Sequence, residues 1–211
     1  MNQQSQYGVI VPVKRPIRAK SRLAALGDGP RRRIAAAMAA DTVTACLRAE
    51  GVALVLAVTD DHLLAAELRA LGAETVPDAT GHGLNETLHQ SAVELARRAP
   101  QLRPVAVCAD LPALRPEALS RALAAGWEHE QAFVPDTEGV GTTLVTAATA
   151  AGFLPRFGPT SCARHLEGGA HLVAVPGLET LRRDVDTPEA LREAAGLGLG
   201  PRTAAVLADL D

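Results

Sequence analysis

The feature of this 211-residue chain that most constrains its fold is a repeated alternation of short apolar runs with longer amphipathic segments. YGVIVPV, VALVLAVT and PVAVCADLP are continuous apolar runs, typical of strands that are covered on both faces. The segments between them have helical spacing, and TPEALREAAGLG predicts a last helix. The alternation predicts an α/β fold, with a mostly parallel sheet flanked by helices. Since no stretch resembles a linker, we expect one domain over residues 1–211, with residues 1–6 frayed.

Composition argues against several classes of protein. The formal net charge is −3, whereas broad nucleic-acid binding needs a sustained basic surface. No apolar run approaches the roughly 20 residues of a membrane span, and the polar start MNQQSQYG lacks the apolar region of a signal peptide. Cys46, Cys108 and Cys162 are far apart, without disulfide or metal-ligand spacing. We therefore expect a cytoplasmic protein that binds neither nucleic acid nor membrane.

The first loop after a strand is strongly basic. Five cationic side chains fall within nine residues directly after Val13. They are Lys14, Arg15, Arg18, Lys20 and Arg22. Like charges this close repel, and an anionic ligand would remove the repulsion and add charge-assisted hydrogen bonds. The loop therefore favours a small polyanion, with a solvated surface turn as the alternative; its sequence matches neither GxxxxGK[ST] nor GxGxxG.

A second loop, TGHGLNETL, precedes an amphipathic segment. Gly81 and Gly83 allow close approach of a ligand to the backbone, and Asn85 offers a donor and an acceptor. These residues could contact a base or a ribose, or they could form an ordinary helix start.

Carboxylates follow two further predicted strands. Asp110 ends a buried strand, where it could bind a hard cation or form an N-cap or Asx-turn. Asp184 and Asp186 are alternate residues, so in an extended segment both could face one site. Alternatively, Asp186 or Thr187 caps the helix that opens at Pro188.

Two glycine-containing segments lie between these carboxylates. DTEGVGTTLV and RFGPTSCARH could turn backbone N–H groups toward a ligand. Ser161 precedes a short helix whose N-terminus favours anions, and we expect His165 to be structural. Together the loops indicate a site in which carboxylates hold Mg²⁺, cations neutralise a triphosphate, and an acceptor attacks the α-phosphorus.

The motifs PVK…KSRL, GLN, ADLPAL, GVGTT, RFG..S…H and DVDTPEAL occur in this order across nearly the whole chain. The chain resembles the CofC/FbiD family of guanylyltransferases of coenzyme F-420 biosynthesis. More distantly it is similar to nucleotidyltransferases with a Rossmann-like fold of the GT-A type. The resemblance implies that a phosphorylated three-carbon acid attacks the α-phosphate of GTP, pyrophosphate leaves, and the product passes to the next transferase. The high-GC, bacterial-looking composition favours phosphoenolpyruvate as the acid; 2-phospho-L-lactate and 3-phosphoglycerate are the alternatives.

The resemblance also assigns roles to particular residues. The Mg²⁺ ligands would be Asp110, Asp184 and Asp186, with Asp184 favoured of the pair. The acid would contact Gly158, Ser161 and either Thr142 or Thr143, since the alignment of GVGTT is ambiguous. Lys14, Lys20 and Arg22 would hold the phosphates, and Asp110 would share in catalysis. The nucleotide would contact Pro12, Val13, Gly83 and Asn85. Glu138 departs from the family pattern. It would either lie on the loop surface or help to determine which acid fits.

Other functions fit the same residues. One is a nucleotidyltransferase for a different cofactor or sugar phosphate, which would use the same fold and metal chemistry. Another is a GTP-binding regulatory module without turnover. The presence of Asp110, Asp184 and Asp186 argues against the second possibility, which predicts GTP binding with no metal-dependent turnover.

Overall fold

The computed structural model describes residues 6–13, 27–78 and 83–210, in which a seven-stranded sheet is covered by helices on both faces. The strands are β1 (Tyr7–Pro12), β2 (Val52–Val58), β3 (Glu74–Val76), β4 (Arg103–Val107), β5 (Gln131–Pro135), β6 (Thr142–Ala147) and β7 (His171–Leu172). The helices are α1 (Asp28–Arg48), α2 (His62–Ala70), α3 (Leu84–Arg98), α4 (Pro116–Gly126), α5 (Ser161–Glu167), α6 (Glu179–Arg182), α7 (Pro188–Leu197) and α8 (Pro201–Ala208). The predicted α/β fold is confirmed.

The sheet has the strand order β3-β2-β1-β4-β6-β5-β7 and is mostly parallel, as the sequence predicted. β6 is the exception, because it lies between β4 and β5 and runs antiparallel to both. Its first residue, Thr142, therefore lies at the end of the sheet formed by the carboxyl ends of β4 and β5. The reversal was not predicted, although the six residues between β5 and β6 are too few for a parallel crossover.

Successive residues of each central strand pack into different cores. Val9 and Val11 of β1 face the side of the sheet that α1, α2 and α4 cover, whereas Ile10 faces the side covered by α3. On β5, Phe133 likewise faces the α3 side. This two-sided burial explains why the central strands are continuous apolar runs instead of alternating sequences.

The packing of α3 on β1 requires a glycine. A Cβ atom at Gly8 would lie 2.5 Å from Cδ1 and 2.6 Å from Cδ2 of Leu95. Because side-chain atoms do not approach so closely, Gly8 sets the distance between this helix and the sheet.

The C-terminal part of the chain contains structure that the sequence did not predict. The predicted last helix is present as α7, but α8 follows it, and the predicted strand AHLVAVPG is reduced to the two residues of β7. α8 is held by Asp41 of α1, whose buried carboxylate accepts hydrogen bonds from the N–H groups of Arg202 (3.2 Å) and Thr203 (2.8 Å). Asp41 thus satisfies the free N–H groups at the start of α8 from another helix. A residue that caps a helix so distant in sequence carries no local signal.

Among the helices in the described ranges, none is both long and apolar enough to cross a membrane.

Candidate functional site

In the sheet, β2 and then β3 lie on one side of β1, whereas β4 lies on its other side. Between β1 and β4 the chain therefore changes the side on which it adds strands. α1 and α2 cover one face of the sheet and α3 covers the other, so this point is a topological switch point. In open α/β sheets, ligands bind at the carboxyl ends of the strands beside such a point. Pro12 and Val13 lie at the end of β1, and Asp110 lies just beyond β4. The structure therefore places Pro12, Val13 and Asp110 at the carboxyl-terminal end of the sheet.

A backbone hydrogen bond joins the two segments that carry the predicted carboxylates. The N–H of Val185 donates to the carbonyl oxygen of Asp110 at 3.0 Å, and the Val185 side chain is buried. The segment 184–186 consequently runs beside Asp110. The cap of α7 is Thr187, whose Oγ1 accepts the N–H of Ala190 at 3.1 Å, so the alternative of a capping Asp186 does not apply.

Asp184 lies in a group of three carboxylates that the sequence did not predict as a whole. One carboxylate oxygen from each of Asp136, Glu138 and Asp184 lies within 4.8 Å of the others. Glu138 pairs with Arg183 at 2.7 Å. Burial raises the pKa of the Glu138 carboxyl, but hydrogen bonds from Arg183 and its own backbone, with the nearby Arg charges, bring it below its usual value. This group extends the acidic side of the site toward the β5–β6 loop.

Asp136 shapes the loop that leads into β6. Its carboxylate accepts the N–H groups of Val140 (2.9 Å) and Gly141 (2.7 Å). A Cβ at Gly141 would lie 2.3 Å from Oδ2 of Asp136, so the turn requires a glycine there. Asp136 was not among the predicted site residues, although an aspartate before a glycine-rich turn is a recognisable Asx-type signal.

Arg182 of α6 holds the other side of this loop. Its Nε donates to the carbonyl oxygens of Pro135 and Asp136, both at 3.2 Å, and its Nη2 donates to that of Asp136 at 2.7 Å. In return, the N–H of Thr137 donates to the carbonyl of Arg182 at 3.0 Å. Arg182 was also not predicted, because its partners are backbone carbonyls 46 and 47 residues away.

The two candidate threonines at the start of β6 have different surroundings. Oγ1 of Thr142 lies 3.1 Å from Nδ1 of His165. Oγ1 of Thr143 is buried and has no hydrogen-bond partner among the described residues. The carbonyl of Thr143 accepts the N–H of Cys108, which fixes the start of β6 against the end of β4. Both threonines therefore lie near the Asp110 loop.

The RFG motif is fixed from two directions. Asn85 of α3 accepts the N–H of Phe157 at 2.8 Å and donates to the carbonyl of Phe157 at 3.0 Å. From α5, Nε2 of His165 accepts the N–H of Arg156 at 3.0 Å. Since Nε2 is an acceptor, the proton of the neutral ring lies on Nδ1, facing Thr142. Asn85 thus has a structural contact that the sequence did not predict, and its contact with a nucleotide stays a prediction.

The ionisation of His165 fits this arrangement. The ring is fully buried. Burial, with the charges of Arg156 and Arg164, lowers the pKa of His165 to about 4 against the opposing effect of a hydrogen bond to the Ser161 backbone. His165 is therefore neutral at physiological pH, as its two ring contacts require.

The remaining predicted residues lie around the RFG motif and at the start of α3. Gly158 has φ +125°, which favours glycine, and its carbonyl accepts the N–H of the buried Ser161 at 3.1 Å. Gly83, with φ +110°, precedes α3 and has open space around it. Lys14, Lys20 and Arg22 lie outside the described residues.

The fold is shared with solved structures of nucleotidyltransferases. A nucleotidyl transferase from Methanothermobacter thermautotroptrophicus superimposes with a TM-score of 0.61 at 19% identity, covering 92% of this chain and 98% of that one. A structure described as a nucleotide-diphospho-sugar transferase, from Desulfovibrio desulfuricans G20, gives a TM-score of 0.64 at 19% identity over 92% and 97% of the two chains. The manganese complex of Rv0371c from Mycobacterium tuberculosis gives 0.55 at 20% identity over 90% and 97%. The chain has the nucleotidyltransferase fold.

The chain belongs to the family described as "Guanylyl transferase CofC like", whose sequence model matches residues 7–203. A relative from Thermomonospora curvata, named phosphoenolpyruvate guanylyltransferase, is 52% identical over 203 residues, covering 96% of this chain and 89% of the relative. A relative of the same name from Streptomyces coelicolor is 47% identical over 206 residues and covers 97% of both chains. The predicted family resemblance is confirmed.

Proposed function

We propose that the protein transfers GMP from GTP to phosphoenolpyruvate, forming enolpyruvyl-diphospho-guanosine and pyrophosphate for coenzyme F-420 biosynthesis. The names of the relatives, at 47–52% identity over nearly the whole chain, support the reaction. The hydrogen bond from Val185 to Asp110 is the structural observation that carries it. It joins two acidic segments at the end of the sheet where β6 begins. The predicted contacts Thr142 and Thr143 lie at the start of β6.

The reaction is a displacement at phosphorus. A phosphate oxygen of phosphoenolpyruvate forms a bond to the α-phosphorus of GTP, and the bond from that phosphorus to the oxygen bridging to the β-phosphorus breaks. Pyrophosphate leaves with the electron pair. Catalysis of such a step is mainly positioning and charge stabilisation. We assign the phosphates to Lys14, Lys20 and Arg22, and the nucleoside to the ends of β1 and α3, at Pro12, Val13, Gly83 and Asn85.

The acid is assigned to the segments that Asn85 and His165 hold in place. Thr142, with Thr143 as its neighbour, would contact the phosphoenolpyruvate from β6, and Gly158 and Ser161 would contact it from the other side. Oγ1 of Thr143 is buried without a hydrogen-bond partner among the described residues, and Gly158 has a left-handed backbone; both features support a ligand contact in this region.

The acidic residues fit a magnesium ion. Mg²⁺ prefers carboxylate oxygens and binds through one or two carboxylates together with substrate phosphates. Asp110 and Asp184 lie on segments joined by a backbone hydrogen bond, whereas Asp186 is exposed. We therefore assign the ion to Asp110 and Asp184, with Asp186 as a further ligand, and Asp136 and Glu138 beside them. When bound, the ion neutralises charge on the triphosphate; the protein orients the two substrates around it.

The test is incubation of the purified protein with GTP, Mg²⁺ and one acid at a time. The acids are phosphoenolpyruvate, 2-phospho-L-lactate and 3-phosphoglycerate, with ATP, CTP and UTP as alternative nucleotides. We expect pyrophosphate release and a product of the expected mass with GTP and phosphoenolpyruvate, and none after chelation of the metal. A product formed only from another nucleotide and acid would show that this pair, and not GTP and phosphoenolpyruvate, are the substrates. GTP binding without any product would refute the transferase function.

A further inference from the structure

His165 connects the two segments to which the phospho-acid is assigned. Thr142 begins β6, whereas Arg156 opens the RFG motif, and both contact the same imidazole ring. The distances are 3.1 Å from Nδ1 to Oγ1 of Thr142 and 3.0 Å from Nε2 to the N–H of Arg156. The ring therefore fixes the separation between these two segments.

The ring itself is held firmly. It packs face to face with Phe133 of β5 at a centroid distance of 5.2 Å and edge to face with Phe157 at 5.9 Å. Both arrangements are favourable for aromatic rings, and the ring is fully buried. These contacts favour one orientation of the ring, and so one direction for each of its two nitrogens.

The segment that His165 holds depends on such contacts. Residues 156–160 lie outside any helix or strand. Within it Gly158 has φ +125°, and Thr160, a β-branched residue, has the left-handed φ of +56°. Strained conformations of this kind persist only where the surroundings determine them. Asn85 fixes Phe157 from α3, and His165 fixes the neighbouring Arg156 from α5.

We infer that His165 is a positioning residue for the phospho-acid: through its two ring nitrogens it sets the distance between Thr142 and the RFG segment, and so the affinity for the acid but not for GTP. The inference rests on the proposed function, which places the acid between these segments. His165 does not contact the acid. Its loss should therefore raise the KM for phosphoenolpyruvate while the KM for GTP stays unchanged.

The test compares three variants. His165→Phe keeps an aromatic ring against Phe133 and Phe157 but removes both hydrogen bonds. His165→Gln can restore an acceptor near the position of Nε2 and serves as the conservative variant. His171→Gln, at an exposed histidine on β7, is the matched control. Steady-state kinetics give both KM values, and hydrogen–deuterium exchange reports on the amides of residues 156–158.

We expect His165→Phe to raise the KM for phosphoenolpyruvate at least tenfold, with the KM for GTP within twofold of wild type and faster exchange at Arg156. His165→Gln should recover part of both effects, and His171→Gln should show neither. Equal rises in both KM values, or a KM for the acid within twofold of wild type in a folded variant, would overturn the inference. If His165→Phe does not fold, His165→Gln decides by the same measures.

If the proposed function is wrong, the same kinetic and exchange experiments give different results. Wild-type protein would then turn over no phospho-acid, and amide exchange alone would decide the role of His165. Faster exchange at Arg156 in His165→Phe would support positioning of the segment, and unchanged exchange would overturn it.

Discussion

The N–H of Val185 donates a hydrogen bond to the carbonyl of Asp110, which joins the loop after β4 to the segment before α7. Two acidic segments more than 70 residues apart thereby lie side by side. We expect Asp110→Asn and Asp184→Asn to lower turnover by about a hundredfold or more, the size typical for lost charge stabilisation at a reacting phosphate. Pyrophosphate release measures turnover, and thermal unfolding checks the fold. Glu189→Gln, at a residue in an exposed ion pair, is the control and should be fully active.

Arg182 should be needed for the shape of the β5–β6 loop. Arg182→Met removes the donors to the carbonyls of Pro135 and Asp136, so the loop that leads to Thr142 loses one side of its support. We expect kcat/KM for the acid to fall about tenfold or more, which corresponds to about 1.4 kcal/mol. Arg192→Met, at an exposed arginine paired with Glu189, is the matched control. Unchanged kcat/KM in Arg182→Met would show that the loop keeps its shape without this side chain.

A side chain at position 8 should destabilise the folded protein. Gly8→Ala places a Cβ 2.5 Å from Leu95, and overpacking of this kind costs about 1–3 kcal/mol of unfolding free energy. Urea denaturation measures the loss, and Leu95→Ala in the same chain should relieve the clash, so that the two changes are not additive. Gly29→Ala, where a Cβ has open space, is the control and should not destabilise. Full additivity would contradict the proposed contact.

Asp41→Ala should loosen α8. The change removes the acceptor for the N–H groups of Arg202 and Thr203, and loss of a helix cap typically costs about 0.5–2 kcal/mol. We expect a lower urea midpoint and faster amide exchange in residues 201–208. Asp209→Ala breaks only the exposed pair with Arg33, which should contribute about 1 kcal/mol or less. Equal effects of the two substitutions would argue against the capping role.

His165 should also give a pH dependence of stability. Its folded pKa of about 4 lies below the usual 6.5, so between these values the unfolded chain binds more protons and stability falls as the pH falls. This loss of stability is nearly complete once the pH reaches about 4, where the folded protein also binds the proton. We expect the difference in unfolding free energy between wild type and His165→Gln to shrink from pH 7 to pH 4.5. A difference that is constant over this range would mean that His165 is not held neutral.

The sequence predicted the layers of the fold because burial on both faces leaves a local record in each central strand. It also predicted the order of the functional loops, through motifs whose residues are close in sequence. The short β5–β6 connection is a local sign that these two strands are antiparallel. The position of β6 beside β4 was not predicted, since that pairing joins residues far apart in sequence. Asp136 was not predicted although an aspartate before a glycine-rich turn is a local signal. Arg182 was not predicted because its partners are distant backbone carbonyls, which leave no sequence signature.

The connection between Asp41 and α8 has a consequence for synthesis of the protein. The carboxylate lies 161 and 162 residues before its two N–H partners. While the chain is being made, α1 can pack on the first strands long before its buried aspartate has anything to bind. Before α8 has formed, the Asp41 carboxylate has neither of these two partners, and an unpaired carboxylate is costly to bury. We therefore expect stable burial of Asp41 to require residues 201–203.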